Sequence, residues 1–109
     1  MAGEQLSQPS EIARLNDAFR RAGPTHDWLM TQCAAALPDT AGLIRTVMLF
    51  DNFTYDNDPY GEHDFCNFLW HGEKVYGKID YYDQALHYGL DPLDPDCRRV
   101  LTILLASEY

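Results

Sequence analysis

The sequence is short of positive charge and of long apolar runs. Its 109 residues contain 8 Lys and Arg against 17 Asp and Glu, for a formal net charge of −9. Lys and Arg supply most of the affinity of proteins for phosphate backbones, so this balance argues against direct binding of nucleic acid. No apolar run approaches the roughly 20 residues of a membrane-spanning helix, and residues 1–8 lack the features of a signal peptide. We therefore expect a soluble, cytoplasmic protein.

Cysteines are few, and the motifs of metal and phosphate sites are missing. Cys33, Cys66 and Cys97 are odd in number and widely spaced, which fits reduced thiols better than a disulfide framework. The sequence has no Cys-x-x-Cys, no His-Glu-x-x-His and no glycine-rich loop. These absences exclude the usual zinc spacings and phosphate-binding loops, so we predict no cofactor and no bound metal.

The chain does have enough apolar material for one small core. Hydrophobic residues make up 46% and aromatic residues 13% of the sequence, which excludes a disordered acidic tail. A chain of 109 residues has room for one core only. We predict a single α+β domain over residues 1–109, with residues 1–8 flexible and an antiparallel hairpin or sheet packed against two to three helices.

The first helix is predicted from about Ser10 to Ala22. Ser7 or Ser10 can cap its first turn, and Gly23-Pro24 ends it. Its apolar residues share one face and are predicted to be buried, namely Ile12, Leu15, Phe19 and Ala22. Its basic residues lie off that face and are predicted to be solvated, namely Arg14, Arg20 and Arg21.

A second helix is predicted from Pro38-Asp39-Thr40 to about Asp51. Apolar residues from Leu43 to Phe50 recur at helical spacing there and indicate a core-facing stripe. The segment between the two helices is ambiguous, because residues 27–33 resemble a strand whereas the alanines at 34–36 favour a helix. We predict a strand near 27–33.

A hairpin is predicted after a loop over 52–62. Gly72-Glu73 fits a two-residue type II′ turn, which places Trp70 opposite Val75 and Cys66 opposite Ile79. Alternation then defines a core face with these members: Cys66, Phe68, Trp70, Val75 and Ile79. The opposite face is mixed polar and aromatic, with His63, Phe65, Asn67, Leu69, Tyr76, Lys78, Asp80 and Tyr82. Such a face suits either a covered surface or a binding surface.

The sequence of the last segment, residues 94–106, is compatible with either a helix or a strand. Asp94-Pro95 is typical of a helix N-cap followed by the first helical residue, and residues 100–106 are apolar on nearly all sides. Its β-branched residues leave a strand possible. We favour a helix.

Negative charge is concentrated in the second half of the chain. Residues 51–109 contain twelve acids and four basic residues, whereas residues 1–50 contain five acids and four basic residues. Two stretches, 51–64 and 80–96, contain five acids each and no Lys or Arg. Solvated loop acids are one explanation. The sharper hypothesis is a single acidic surface that meets a basic partner.

Nine residues are predicted to contact that partner. Six are acids, namely Asp56, Asp58, Glu62, Asp64, Asp80 and Asp83. Three are aromatic anchors, namely Tyr60, Tyr81 and Tyr82.

Two other kinds of function remain open. Glu62, His63 and Asp64 lie near Asp80 in the predicted register, and such donors can hold Mg²⁺, Mn²⁺ or Zn²⁺ in a metal-dependent hydrolase or nuclease. However, alternation sends His63 and Asp64 to opposite faces, so both cannot ligate one ion without a bulge. A homodimer that buries the mixed hairpin face is the other alternative. We expect a protein that is not an enzyme.

Four strings carry a family resemblance. They are Phe50-Asp51-x-Phe53-Thr54, the run 56–65, the run 78–83, and the run 99–109 that begins Arg99-Val100-Leu101-Thr102-Ile103. Together they resemble the bacterial family of domain of unknown function 3768, from about residue 10 to the end. The resemblance supplies no enzymatic activity. Members of this family look like passengers of plasmids and other mobile elements, which implies an accessory role against host defence.

These observations combine into one expected function. An acidic surface is complementary to the basic channel of a nucleic-acid-binding host protein, such as a CRISPR effector or a restriction enzyme. We expect an anti-CRISPR or anti-restriction protein that inhibits its target by DNA mimicry.

Overall fold

A computed structural model describes residues 9–109 of the chain. Its elements are, in order, α1 (Glu11–Arg21), β1 (Trp28–Met30), α2 (Gln32–Ala35), α3 (Thr40–Leu49), β2 (Phe65–Trp70), β3 (Glu73–Tyr82), β4 (Arg98–Leu105) and a 3₁₀ turn (Ala106–Glu108). This is an α+β fold, as predicted. The predicted flexibility of residues 1–8 lies outside the described range. None of the described helices is long and apolar enough to span a membrane.

The four strands form one mixed sheet in the order β1-β4-β3-β2. β1 runs parallel to β4, and the other neighbouring strands are antiparallel. The helices pack against one face of this sheet and enclose the core. Its fully buried members are Ala34, Leu43, Val47, Cys66, Val75, Ile79, Leu101 and Ile103.

α1 is rotated relative to the prediction. Its buried stripe consists of Ala13, Asn16, Asp17 and Arg20, which recur at helical spacing. The Arg20 side chain is only 2% exposed, whereas Leu15 is 38% exposed and Ala22 is exposed as well. The solvated Arg20 and the buried Leu15 and Ala22 of the sequence prediction are therefore wrong. The helix turns a polar stripe inward because groups elsewhere in the chain satisfy it, as described below.

The second helix follows the sequence closely, whereas the strand predicted near 27–33 is limited to Trp28–Met30 because a helix begins at Gln32. Asp39 caps α3 by accepting a hydrogen bond from the Gly42 amide at 3.0 Å. The 27–33 segment contains both structures that its sequence indicates. The strand β1 ends at Met30, and Thr31 then caps the short helix α2 by accepting from Ala34 N at 3.2 Å.

The hairpin has the predicted faces but a different turn. The two loop residues are His71 and Gly72, both with positive φ (49° and 85°), as a type I′ turn requires. Trp70 therefore pairs with Glu73 and Cys66 with Gly77, two positions from the predicted register. A shift of two residues preserves which side each residue faces, so the predicted core face is confirmed.

The final segment is a strand, so the favoured helix is wrong. β4 lies in the middle of the sheet between β1 and β3, and Val100, Leu101, Ile103 and Leu104 are all buried there. A continuous apolar run is typical of a strand that is covered on both faces. Asp94 caps a loop turn instead of a helix, accepting a hydrogen bond from the Asp96 amide at 2.8 Å.

The turn type predicts a selective effect of adding a Cβ atom. Gly72→Ala should lower the free energy of unfolding by about 1–2 kcal/mol, because an L-residue resists a φ of +85° while no atom lies within 4 Å of the new Cβ. Gly89→Ala is the matched control, since its φ is not positive and its Cβ would meet only Tyr81 O at 3.8 Å. Urea denaturation measures both variants, and equal losses would contradict the assigned turn.

Candidate functional site

The two acid-rich stretches lie at the same end of the sheet. β2 begins opposite Lys78 and β4 begins opposite Tyr82, so the loops that precede these strands leave the sheet from one end, on either side of β3. We call the loops 50–64 and 83–97 together the acidic end. They contain no Lys or Arg. Their acids are Asp51, Asp56, Asp58, Glu62, Asp64, Asp83, Asp91, Asp94 and Asp96.

A buried ion pair on α1 holds both ends of the first acidic loop. Arg20 Nη2 lies 2.8 Å from Asp17 Oδ1 and also donates to Phe50 O at 3.1 Å. Arg20 Nη1 donates to His63 O at 3.4 Å. Burial by itself would raise the pKa of Asp17, but hydrogen bonds from Arg20 and His63 hold that pKa below its usual value. The loop is thus fixed near its start and near its end.

His63 is the link between this ion pair and the loop. Its Nδ1 lies 3.0 and 3.1 Å from the two carboxylate oxygens of Asp17, which directs a ring N–H to that acid. Its ring stacks on Phe53 with centroids 3.9 Å apart and planes 5° apart. Asp58 accepts the backbone N–H of Glu62 and of His63 at 3.0 and 3.2 Å. These contacts hold His63 in its left-handed conformation, with φ at 57°.

Asn16 joins the two acidic loops to each other. Its side-chain amide donates to Tyr81 Oη at 2.9 Å and to Glu62 O at 3.0 Å, while its Oδ1 accepts from Arg99 Nε at 2.6 Å. Tyr81 Oη donates in turn to Glu62 Oε1 at 2.9 Å, and burial raises the pKa of the Tyr81 hydroxyl, which keeps it protonated. Arg99 Nη2 donates to Pro92 O at 2.8 Å in the second loop. One fully buried amide therefore couples both loops to α1.

The nine predicted contact residues divide into exposed and structural ones. Asp56 and Tyr60 are exposed, and Tyr82 and Asp64 are half-buried. The others make internal contacts: Asp58, Glu62 and Tyr81 belong to the network above, Asp80 pairs with Lys78 Nζ at 2.6 Å, and Asp83 accepts the His87 amide at 2.7 Å. Sequence reasoning missed Asn16, Asp17, Arg20 and Arg99. The available signal for the first three was their helical spacing on α1, where they follow the small Ala13 at i+3, i+4 and i+7.

The side chains of the hypothetical metal cluster contact different partners and do not converge on one point. His63 faces Asp17 rather than Asp80, and the Glu62 carboxylate accepts from Tyr81. Within residues 9–109 no group of three His, Cys, Asp or Glu side chains is arranged to hold a metal ion. The geometry of the network is that of a scaffold for the loops.

Asp64 is the acid whose charge the structure disfavours. Its pKa is raised first by burial and then by the negative charges of Glu62, Asp58 and Asp80 around it. A carboxylate held in this way repels its neighbours and attracts any cation that approaches. Perturbed ionisable groups concentrate at functional sites, so Asp64 marks the acidic end as a candidate site.

The family model described as Protein of unknown function (DUF3768) matches residues 30–108. The chain belongs to this family. The matched residues of the family include both loops of the acidic end, the hairpin and β4, whereas α1 precedes the match. A search of curated proteins and a search of solved structures each return no match.

Neighbouring arginines on α1 should respond very differently to truncation. Arg20→Ala removes the guanidinium from the buried Asp17 carboxylate, which then keeps only His63, and it frees the carbonyls of Phe50 and His63, so we expect a loss of about 3–5 kcal/mol in the free energy of unfolding. Arg21→Ala changes an exposed side chain and should stay within about 0.5 kcal/mol. Urea denaturation of the two variants compares them directly. Similar midpoints would show that the ion pair does not hold the loop.

Asp64→Asn should stabilise the protein at neutral pH. A group whose pKa is raised on folding contributes stability below its unfolded pKa, and that stability is lost as the pH rises through the folded pKa. Removing the charge should therefore raise Tm at pH 7, with a difference that shrinks toward about pH 3. Thermal unfolding across this pH range tests it, and a lower Tm of the variant at pH 7 would contradict the raised pKa of Asp64.

Proposed function

We propose that this protein is a non-enzymatic binding protein whose acidic end inhibits a basic, nucleic-acid-binding protein of host defence. The observation that carries the proposal is the convergence of two acid-rich loops, both without Lys or Arg, on one end of the sheet. A restriction enzyme or a CRISPR effector has the basic channel that such a surface complements. Occupying that channel would exclude DNA from it, which is inhibition by mimicry of a phosphate-rich surface.

Exposed aromatic residues accompany the exposed acids. Asp51, Asp56, Asp91 and Asp96 are exposed at the acidic end. Tyr55 and Tyr60 are each 87% exposed in the first loop, and Tyr88 is exposed in the second. Tyrosines supply much of the binding energy in protein interfaces, whereas surface charges mainly speed association. The acidic end combines both kinds of group.

The network beneath the loops supports binding by a preformed surface. The first loop is tied to α1 at both of its ends through Asn16 and Arg20, and the second loop is tied to α1 through Arg99, which bonds Asn16 and Pro92 O. Fixing the loops in this way reduces the conformational entropy that is lost when a partner binds. The environment of Asp64 adds a second contribution. Burial disfavours its negative charge first, and the charges of Glu62, Asp58 and Asp80 do so further, so a cationic side chain of the partner placed beside it would favour association.

The same contacts favour binding over metal-dependent hydrolysis. Such an enzyme needs carboxylates free to ligate an ion or to move a proton. Here Asp58 accepts backbone amides, Glu62 accepts from Tyr81, and Asp80 pairs with Lys78. Three of the carboxylates that a hydrolase would use are thus engaged in holding the loops and the strand, and Asp64 by itself is not a metal-ligand set.

A charge-reversal pair tests the proposed function. The protein should inhibit DNA cleavage by a nuclease in a panel of purified restriction enzymes and RNA-guided nucleases. Asp56→Lys, at the acidic end, should slow association with that nuclease roughly tenfold at low salt, and the difference should fade as ionic strength rises. Glu73→Lys makes the same charge change at the hairpin, on the opposite end of the sheet, and should associate like the parent.

Two outcomes would contradict this proposal. Equal effects of Asp56→Lys and Glu73→Lys would show that net charge matters rather than the acidic end. Unchanged cleavage with every nuclease in the panel would reject inhibition of host nucleases. Circular dichroism of both variants confirms that each is folded.

A further inference from the structure

β2 is an edge strand with unused backbone hydrogen-bonding groups. In the described part of the chain it pairs with β3 on one side only. Ile79 N donates to Asp64 O at 2.8 Å, and Trp70 pairs with Glu73 at the two-residue turn. Backbone hydrogen bonds alternate along an antiparallel strand, so the N–H and C=O groups of the even-numbered residues of β2 point toward β3. The N–H and C=O groups of Phe65, Asn67 and Leu69 therefore point away from the sheet.

This edge lacks the usual protection against pairing. Natural edge strands are blunted by charged side chains, proline, bulges or a covering element. β2 has the sequence Phe-Cys-Asn-Phe-Leu-Trp, with no charge and no proline, and its register with β3 is continuous from Phe65 to Trp70. Within residues 9–109 no backbone group bonds to the outward side of Phe65, Asn67 or Leu69. Leu69 is 72% exposed.

We propose that β2 pairs antiparallel with β2 of a second copy of this chain, about a two-fold axis at Asn67. The two four-stranded sheets then form one continuous sheet. This register sets Asn67 opposite the partner's Asn67 and Phe65 opposite the partner's Leu69. It is the register in which all three outward-facing residues of each copy form hydrogen-bonded pairs.

The side chains fit this register as well as the backbone does. Residues directly opposite in a sheet share a face, so the exposed Leu69 would pack on the partner's Phe65. Phe65 already packs against Tyr76, with ring centroids 4.8 Å apart, and Tyr109 packs against Tyr76 at 5.5 Å. Leu69 would extend this aromatic cluster across the interface. The two Asn67 amides would meet at the axis, where each can bond the other.

Charge favours a second copy in the antiparallel direction. β2 starts directly after the acidic end and finishes at the hairpin turn, where the exposed Glu73 and Lys74 together carry no net charge. Antiparallel pairing places the acidic end of each copy beside the hairpin turn of the other, whereas parallel pairing would bring the two acidic ends together. The uncharged strand adds no repulsion of its own. A strand of six residues is a small interface, so we expect a concentration-dependent equilibrium.

Sedimentation velocity on the full chain tests the dimer. Between about 5 and 500 µM the mass should rise from that of one copy toward two, the range expected of a small interface. Leu69→Lys should remain a monomer throughout. Leu29→Lys is the control, because Leu29 is an exposed leucine on the same open face of the sheet but in the other edge strand, β1, and it should dimerise like the parent. A parent that stays monomeric, or a Leu69→Lys variant that dimerises, would overturn the proposal.

Cysteine cross-linking tests the register. In a Cys33→Ser background, which removes the exposed native thiol, Asn67→Cys should form a disulfide-linked dimer under mild oxidation. Leu69→Cys should not, because two-fold pairing at Asn67 separates the two copies of Leu69 by roughly 13 Å along the strand. Cross-linking of Leu69→Cys with none at Asn67→Cys would reject this register. The acidic end takes no part in these measurements, so their failure leaves the proposed function standing.

Discussion

The buried polar stripe of α1 is the constraint on which the acidic end depends. Removing Arg20 and Asp17 from water is costly, and a buried ion pair repays this only when its remaining hydrogen-bonding groups also find partners. Here Asp17 receives His63, and Arg20 reaches the carbonyls of Phe50 and His63. Arg20 Nε remains buried without a described partner. The ion pair therefore contributes little to the core and a great deal to the position of the loop.

This arrangement makes the two halves of the chain interdependent. Glu62, His63, Tyr81 and Arg99 lie within the residues matched by the family, whereas Asn16, Asp17 and Arg20 precede them. The first loop and β3 present carbonyls, an imidazole and the Tyr81 hydroxyl at positions that only a polar partner can satisfy. α1 supplies that partner. An apolar helix in its place would leave these buried groups unpaired, and the acidic loops would lose their fixed positions.

Hydrophobic periodicity in the sequence correctly predicted which faces of α3 and of the hairpin are buried. The stripe of α3 and the core face of the hairpin follow from the 3.6- and 2-residue periods, and both are confirmed.

The orientation of α1 could not be predicted in this way, because Arg20 is buried by groups 30 and 43 residues away in sequence. Residues 100–105 are apolar at all positions but Thr102, so no periodicity separates helix from strand, and their neighbours in the sheet decide that they form a strand. The turn was misplaced by one residue because a glycine suits the first position of a type II′ turn and the second of a type I′ turn equally well. Of the site, composition predicted the acidic character of the two loops, whereas their convergence is a property of strand order.

The negatively charged loop and the uncharged edge strand are directly adjacent in the chain. Asp64 ends the acidic loop and Phe65 begins an uncharged strand, so repulsion and backbone pairing act on adjacent but distinct surfaces. Ionic strength then affects the two surfaces with opposite sign. Salt screens the attraction of the acidic end for a basic partner, and it also screens the residual repulsion between two chains of net charge −9. Higher salt therefore weakens binding at the loops while it favours pairing through β2, which allows the two associations to be separated in solution by salt alone.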